Sequence, residues 1–191
     1  MDTTRGSLLM RLKNREDSAA WEVFDEIYRP LLLRFARSRG LDHADAEDIT
    51  QQCMTAMHAH IGSFDYDPER GRFRSWLRTL VNNKVRNLLR DRRELQVESG
   101  HFRALPAQDD SPDAVFESLW MQQHLWHCLR ELRNEVEEST YQAFQYYVIE
   151  QWPMERVCRE LGMKANHVYT IKWRLTEKIS AKMRELLPEE E

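Results

Sequence analysis

The chain has 191 residues, with 28 Lys and Arg against 32 Asp and Glu and a formal net charge of −4. This length supports one medium domain or two small ones, and a hydrophobic share of 41% is enough to build real cores. The three Cys, at 53, 128 and 158, have no CxxC spacing, which argues against a disulfide framework or a zinc ribbon and fits a reducing cytoplasm.

There is no signal-peptide pattern at the start, and no apolar run approaches the ~20 residues of a membrane span. Six Gly and six Pro, without alternating apolar residues, predict an all-α protein. In chain order, a short apolar stretch, Leu8–Leu12, precedes a helix from about Asp17 to Arg39. Its apolar side is Trp21, Phe24, Ile27, Tyr28, Leu31, Leu32 and Phe35, and Pro30 should kink it by removing one backbone bond. Gly40 ends it. Asp42 is the expected N-cap of the next helix, which runs to about Ile61 and buries Ile49, Cys53, Met57 and Ile61. Residues 63–72 read as a loop. A fourth helix follows from Phe73 to about Arg93, with Phe73, Trp76, Leu77, Leu80, Val81 and Leu88 inward.

Residues 94–112 show no sustained periodicity and read as a linker. Ser111-Pro112-Asp113 signals a helix start, with that helix running to about Arg133. Ser139 with Gln142 predicts a capping box for a further helix ending near Ile149. From Trp152 to Leu187 the pattern is two helices about a turn at Gly162. Val168, Ile171, Leu175 and Ile179 form the buried stripe of the second, and Asn166, Tyr169, Thr170, Trp173 and Arg174 fall on the opposite side. Those side chains suit base edges, stacking and phosphates, as in a helix-turn-helix reading the major groove. The alternative is a helical hairpin whose aromatics pack in a core or interface.

Charge is unevenly spread. From Arg70 to Arg93 there are nine Lys or Arg and one acid, Asp91. From Glu94 to Ser118 there are six acids and one Arg; from Met154 to Arg184, eight basic residues and three acids. Two basic blocks around an acidic connector suggest two nucleic-acid contacts, against the simpler reading of two ordinary charged helices. His124, His127 and Cys128 sit on an apolar helix and read as packing rather than a metal site. No phosphate loop, nucleophile elbow or catalytic pair is present, so no enzyme activity, metal or cofactor is expected.

Ala20-Trp21-Glu22-Val23-Phe24, Tyr28-Arg29-Pro30, Asp45 through Gln52, and Phe73 through Thr79 with Asn83 resemble region 2 of the extracytoplasmic-function sigma factors of bacterial RNA polymerase. Leu161-Gly162-Met163, Val168 and Arg174-Leu175 resemble their region 4. The resemblance implies two small helical domains: region 2-like at 1–93, a linker at 94–112, and a region 4-like helix-turn-helix at 113–191. It implies a cytoplasmic sigma factor that binds core RNA polymerase through the β′ clamp coiled coil and the β flap and recognises and melts promoter DNA. An anti-sigma factor is the implied regulator.

By the same resemblance, Glu47, Asp48, Gln51, Gln52 and Thr55 would meet core polymerase, with Gln52 standing where the family often carries Glu. Phe64, Tyr66, Arg70 and Arg72 match the loop that captures a flipped base of the −10 element. Trp76, Thr79, Asn83, Arg86 and Arg90 would follow the single strand. Asn166, His167, Tyr169, Thr170, Trp173 and Arg174 would read the −35 element. Lys172 is left out, because its wheel position lies near the buried stripe. The competing function is a stand-alone helix-turn-helix regulator whose N-terminal helices dimerise or bind an effector.

Overall fold

A computed structural model of the chain describes residues 5–63, 72–99 and 111–186. Among the described residues there is no strand, as expected for an all-α protein. The order is α1 (Arg5–Leu12), α2 (Ser18–Ser38), α3 (His43–His60), a 3-10 turn (Ile61–Ser63), α4 (Arg72–Ser99), α5 (Pro112–Glu135), α6 (Glu138–Phe144), a π-helical turn (Gln145–Ile149), α7 (Met154–Leu161) and α8 (Ala165–Leu186). The chain divides into two compact units, Met1–Gln123 and His124–Leu187, so the division falls inside α5.

In the first unit the start of each helix follows from local chemistry. Asp17 caps α2 by accepting from the Ala20 N–H at 3.0 Å. It also takes both arms of the Arg11 guanidinium, at 2.9 and 2.8 Å, which ties α1 to α2. These bonds, Arg11 first, hold the Asp17 carboxyl below its ordinary range. Asp42 caps α3 by accepting from the Asp45 N–H at 2.9 Å. The core is aromatic: Phe24, Tyr28, Phe35 and Phe73 are fully buried together with Leu31, Leu32 and Met57.

α2 stays one helix from Ser18 to Ser38 with Pro30 inside it. A proline here leaves the carbonyl four residues back, that of Glu26, without its helical donor. Gln123 supplies the substitute: its Nε2 donates to the Glu26 carbonyl at 3.4 Å, while its Oε1 accepts from the Arg34 Nη2. The first part of α5 therefore completes α2. Phe116 and Trp120 on the same stretch are fully buried. Phe116 meets Phe35 edge-on at 5.5 Å, and Trp120 lies 5.6 Å from Tyr28 and 6.3 Å from Phe73.

Three expectations change. α4 continues from 94 to Ser99, into the stretch read as a linker. Its buried stripe is Phe73, Leu77, Val81 and Val85, a run at i, i+4 spacing, whereas Leu80 and Leu88 are only half-buried. At α6, Ser139 is not a cap: the N-cap is Glu137, without a side-chain bond, and Gln142 donates to Glu138 at 3.3 Å instead.

The second unit packs the end of α5, α6 and α8 around Leu132, Phe144, Ile171, Leu175 and Ile179. Cys128 (0% exposed), His124 (0%) and His127 (3%) are buried here, with His127 3.7 Å from Glu131. Gly162 closes α7 in the left-handed conformation, φ 64°, which glycine adopts without steric cost. The expected stripe on α8 is the buried one, Val168, Ile171 and Leu175 each at 1% exposure.

Candidate nucleic-acid interface

On α3 the side facing away from Ile49, Cys53 and Met57 carries exposed Asp48, Gln51, Gln52 and Thr55, with Glu47 half-buried at its edge. Gln52 has a definite local role. Its Nε2 donates to the Asp48 carboxylate at 2.8 Å, and its Oε1 accepts from Lys84 on α4 at 3.2 Å. The amide offers a donor and an acceptor at once, so Gln52 joins an anion to a cation. Gln51 accepts from Arg29 at 3.2 Å. Beneath this face, burial pushes the Cys53 thiol up to about 12, although Lys84 opposes the shift. Asp45 is taken out of the face by a salt bridge to Arg92.

α4 presents Thr79, Asn83, Arg86 and Arg90 as one exposed stripe opposite its buried residues. The Thr79 hydroxyl is spent on the Ser75 carbonyl, 2.9 Å away. Arg90 sits among acids, 3.3 Å from Asp91 and 3.8 Å from Glu94. Arg86 and Asn83 are thus the more open polar groups of the stripe. Trp76 is half-buried and lies 6.0 Å from the Phe73 ring, between core and surface. Phe64, Tyr66 and Arg70 lie outside the described residues; Arg72 opens α4.

The basic block on α4 is partly neutralised from within the unit. Glu117 of α5 pairs with Arg74 and, at 3.1 Å, with Arg78, and Asp113 lies 3.7 Å from Arg78. A count of charges along the sequence therefore overstates the free positive surface of this helix.

On α8 all six expected residues, Asn166, His167, Tyr169, Thr170, Trp173 and Arg174, are exposed. Trp173 is 70% exposed and Tyr169 52%, far more than large aromatics in a core, so neither packs in the core of this chain. The structure sorts the six. His167 and Arg174 line one groove with Ser139 and Thr140. Tyr169 meets Tyr147 of the π-helical turn edge-on at 5.8 Å, and their hydrogen bond raises the Tyr169 phenol above its ordinary value. The Thr170 hydroxyl donates back to the Asn166 carbonyl at 2.9 Å, leaving it less free for a base.

Lys172 corrects the wheel. It is exposed, with its Nζ 5.4 Å from the centre of the Tyr147 ring. The buried stripe is narrow enough that the residue next to Ile171 escapes it. Tyr147 is not among the residues expected from the sequence, where the Tyr146-Tyr147 pair just before the helix-turn-helix is its signal.

The geometry defines an all-helical protein of two units, one with an exposed basic and polar stripe and the other ending in a helix-turn-helix with an aromatic and basic face. Residues 24–94 match the Sigma-70 region 2 family. Over that segment the chain is similar to sigma-70 factors. Eight chains of solved structures match it. One is the sigma factor RpoE in complex with the anti-sigma factor NepR from Bartonella quintana, 21% identical, covering 86% of this chain and 96% of that one at a TM-score of 0.35. No curated protein sequence matches the chain.

Proposed function

We propose that this chain is a sigma factor of the extracytoplasmic-function kind, which binds core RNA polymerase and directs promoter recognition and melting. The observation that carries this reading is the match of residues 24–94 to sigma-70 region 2, the segment that holds both the α3 face and the α4 stripe. In this reading Asp48, Gln51, Gln52 and Thr55, with Glu47 at the edge, meet an Arg-rich coiled coil on the β′ subunit. A carboxylate there accepts charge-assisted bonds. Asn83, Arg86 and Arg90, with Trp76 and Thr79, follow the −10 strand, with stacking and phosphate contacts supplying sequence-tolerant affinity. Phe64, Tyr66, Arg70 and Arg72 belong to the same proposed −10 contact. The exposed face of α8 reads the −35 duplex, and the β flap is the second polymerase contact.

The two functions divide between an N-terminal region 2 and a C-terminal region 4, with the connector beginning after α4 ends at Ser99. The protein acts in the cytoplasm, performs no chemistry of its own, and is regulated by an anti-sigma factor. No helix among the described residues is long and apolar enough to cross a membrane.

The test is co-purification with core polymerase. Asp48→Arg should abolish it while helicity stays at the wild-type level, because Asp48 is exposed. Undiminished binding by a folded Asp48→Arg protein would overturn the assignment of the α3 face.

A further inference from the structure

The turn before α7 carries a feature that the recognition helix does not explain. Tyr146 and Trp152 stack face to face, with ring centres 4.2 Å apart and planes 7° from parallel. The Arg156 guanidinium lies on the other component of this pair, 3.6 Å from the centre of the Trp152 ring. The stack is built into the backbone. The Trp152 N–H donates to the Tyr146 carbonyl at 2.8 Å, and Gln151 between them takes φ 56°, a left-handed conformation uncommon outside glycine. Tyr146 itself lies in the π-helical turn, a rare element often found at functional sites.

Strain and stacking of this kind fix a side chain that would otherwise be mobile. Arg156 is on the first turn of α7 and exposed, and it has no carboxylate partner among the described residues. A guanidinium held this close to an indole is fixed by cation–π attraction, and its planar fork of N–H donors matches a phosphate. The next residue of the turn, Tyr147, holds a second cation in the same way, Lys172 on α8. Trp152, backed by Tyr146, and Tyr147 thus hold one cation on each helix of the helix-turn-helix.

We propose that Arg156 is a contact to a backbone phosphodiester of duplex DNA, and that Trp152 and Tyr146 are its positioning residues. This rests on the reading of α8 as a duplex-binding helix. In a helix-turn-helix the first helix crosses the backbone while the second enters the groove, which is the placement this contact requires. A phosphate contact carries no sequence information, so its effect is the same on any duplex.

The experiment uses the full chain and a fluorescently labelled pool of short random-sequence duplexes, titrated by anisotropy between ~50 and ~200 mM salt. Arg156→Gln should weaken binding about tenfold at the lowest salt, the scale of one charged hydrogen-bonded contact. It should reduce the slope of log affinity against log salt by ~0.9, the signature of one lost phosphate. Arg156→Lys should keep the slope and only part of the affinity. Trp152→Ala should lose the same slope as Arg156→Gln, and Trp152→Phe, which retains the stack, should restore it. An unchanged slope in Arg156→Gln would overturn the contact. A full slope in a folded Trp152→Ala would overturn the positioning role. Absence of duplex binding by the wild-type chain would instead overturn the reading of α8, and is seen before any variant is compared.

Discussion

Replacing Trp120 by Ala should destabilise the first unit by ~3–5 kcal/mol, the usual range for deleting a buried aromatic. The site explains the size. Trp120 is 0% exposed and lies among Tyr28, Phe73 and Phe116, with the Arg74 guanidinium 5.9 Å from its ring centre. An indole removes ~200 Å² from water, worth ~5 kcal/mol at ~25 cal/mol per Å² as an upper bound. The tight aromatic surroundings resist collapse into the cavity, so little of this is recovered. The control is on the same helix: Trp126 is 57% exposed, and Trp126→Ala should change stability by no more than ~0.5 kcal/mol. Because the chain has two units, one melting temperature is a poor readout. Native-state hydrogen exchange resolved to peptides of α2 and α4 is the suitable assay. Protection there should fall by roughly two to four powers of ten in Trp120→Ala and stay level in Trp126→Ala. Equal protection in the two variants would refute the claim that the first part of α5 is a structural member of this unit.

Gly162→Ala should cost ~1–2 kcal/mol, the left-handed backbone penalty, because no heavy atom lies within 4 Å of the added Cβ. Gly162→Asn should cost less, and a thermal-shift series on the second unit compares the two. Hydrogen bonds from Lys178 and then Lys182 hold the Glu135 carboxyl below its ordinary 4.5. A lowered carboxyl stabilises the fold above that value and loses the contribution as pH falls through the lowered one. Stability of the second unit should therefore decline in acid, and Glu135→Gln should flatten the decline below about pH 4.5, as measured by urea titration across that range.

Much of the fold is legible wherever the controlling chemistry is local. Asp42 and Gly162 mark helix ends because a short acceptor and an unbranched backbone solve problems confined to a few residues. The stripe Val168, Ile171, Leu175 declares α8 by its spacing alone. Pro30 is the opposite case. Its effect is absorbed by Gln123, far along the chain, and no local pattern announces that partner. Trp120 and Phe116 likewise read as one face of a late helix, although they complete the aromatic core of the first unit. At the candidate sites, the exposed residues of α8 follow from the wheel, while the use of each side chain does not. Thr79 and Thr170 spend their hydroxyls on their own helices, Arg74 and Arg78 share Glu117, and Lys172 is organised by a tyrosine of another element. These depend on tertiary neighbours, which periodicity does not encode.

The most direct measurement of the central claim is transcription by purified core RNA polymerase on a library of randomised promoters, with and without this chain. The chain should enable initiation from a defined subset sharing two separated elements, and Asp48→Arg should abolish the activity. Initiation that is identical with and without the chain, in a mixture where a known sigma factor is active, would contradict it.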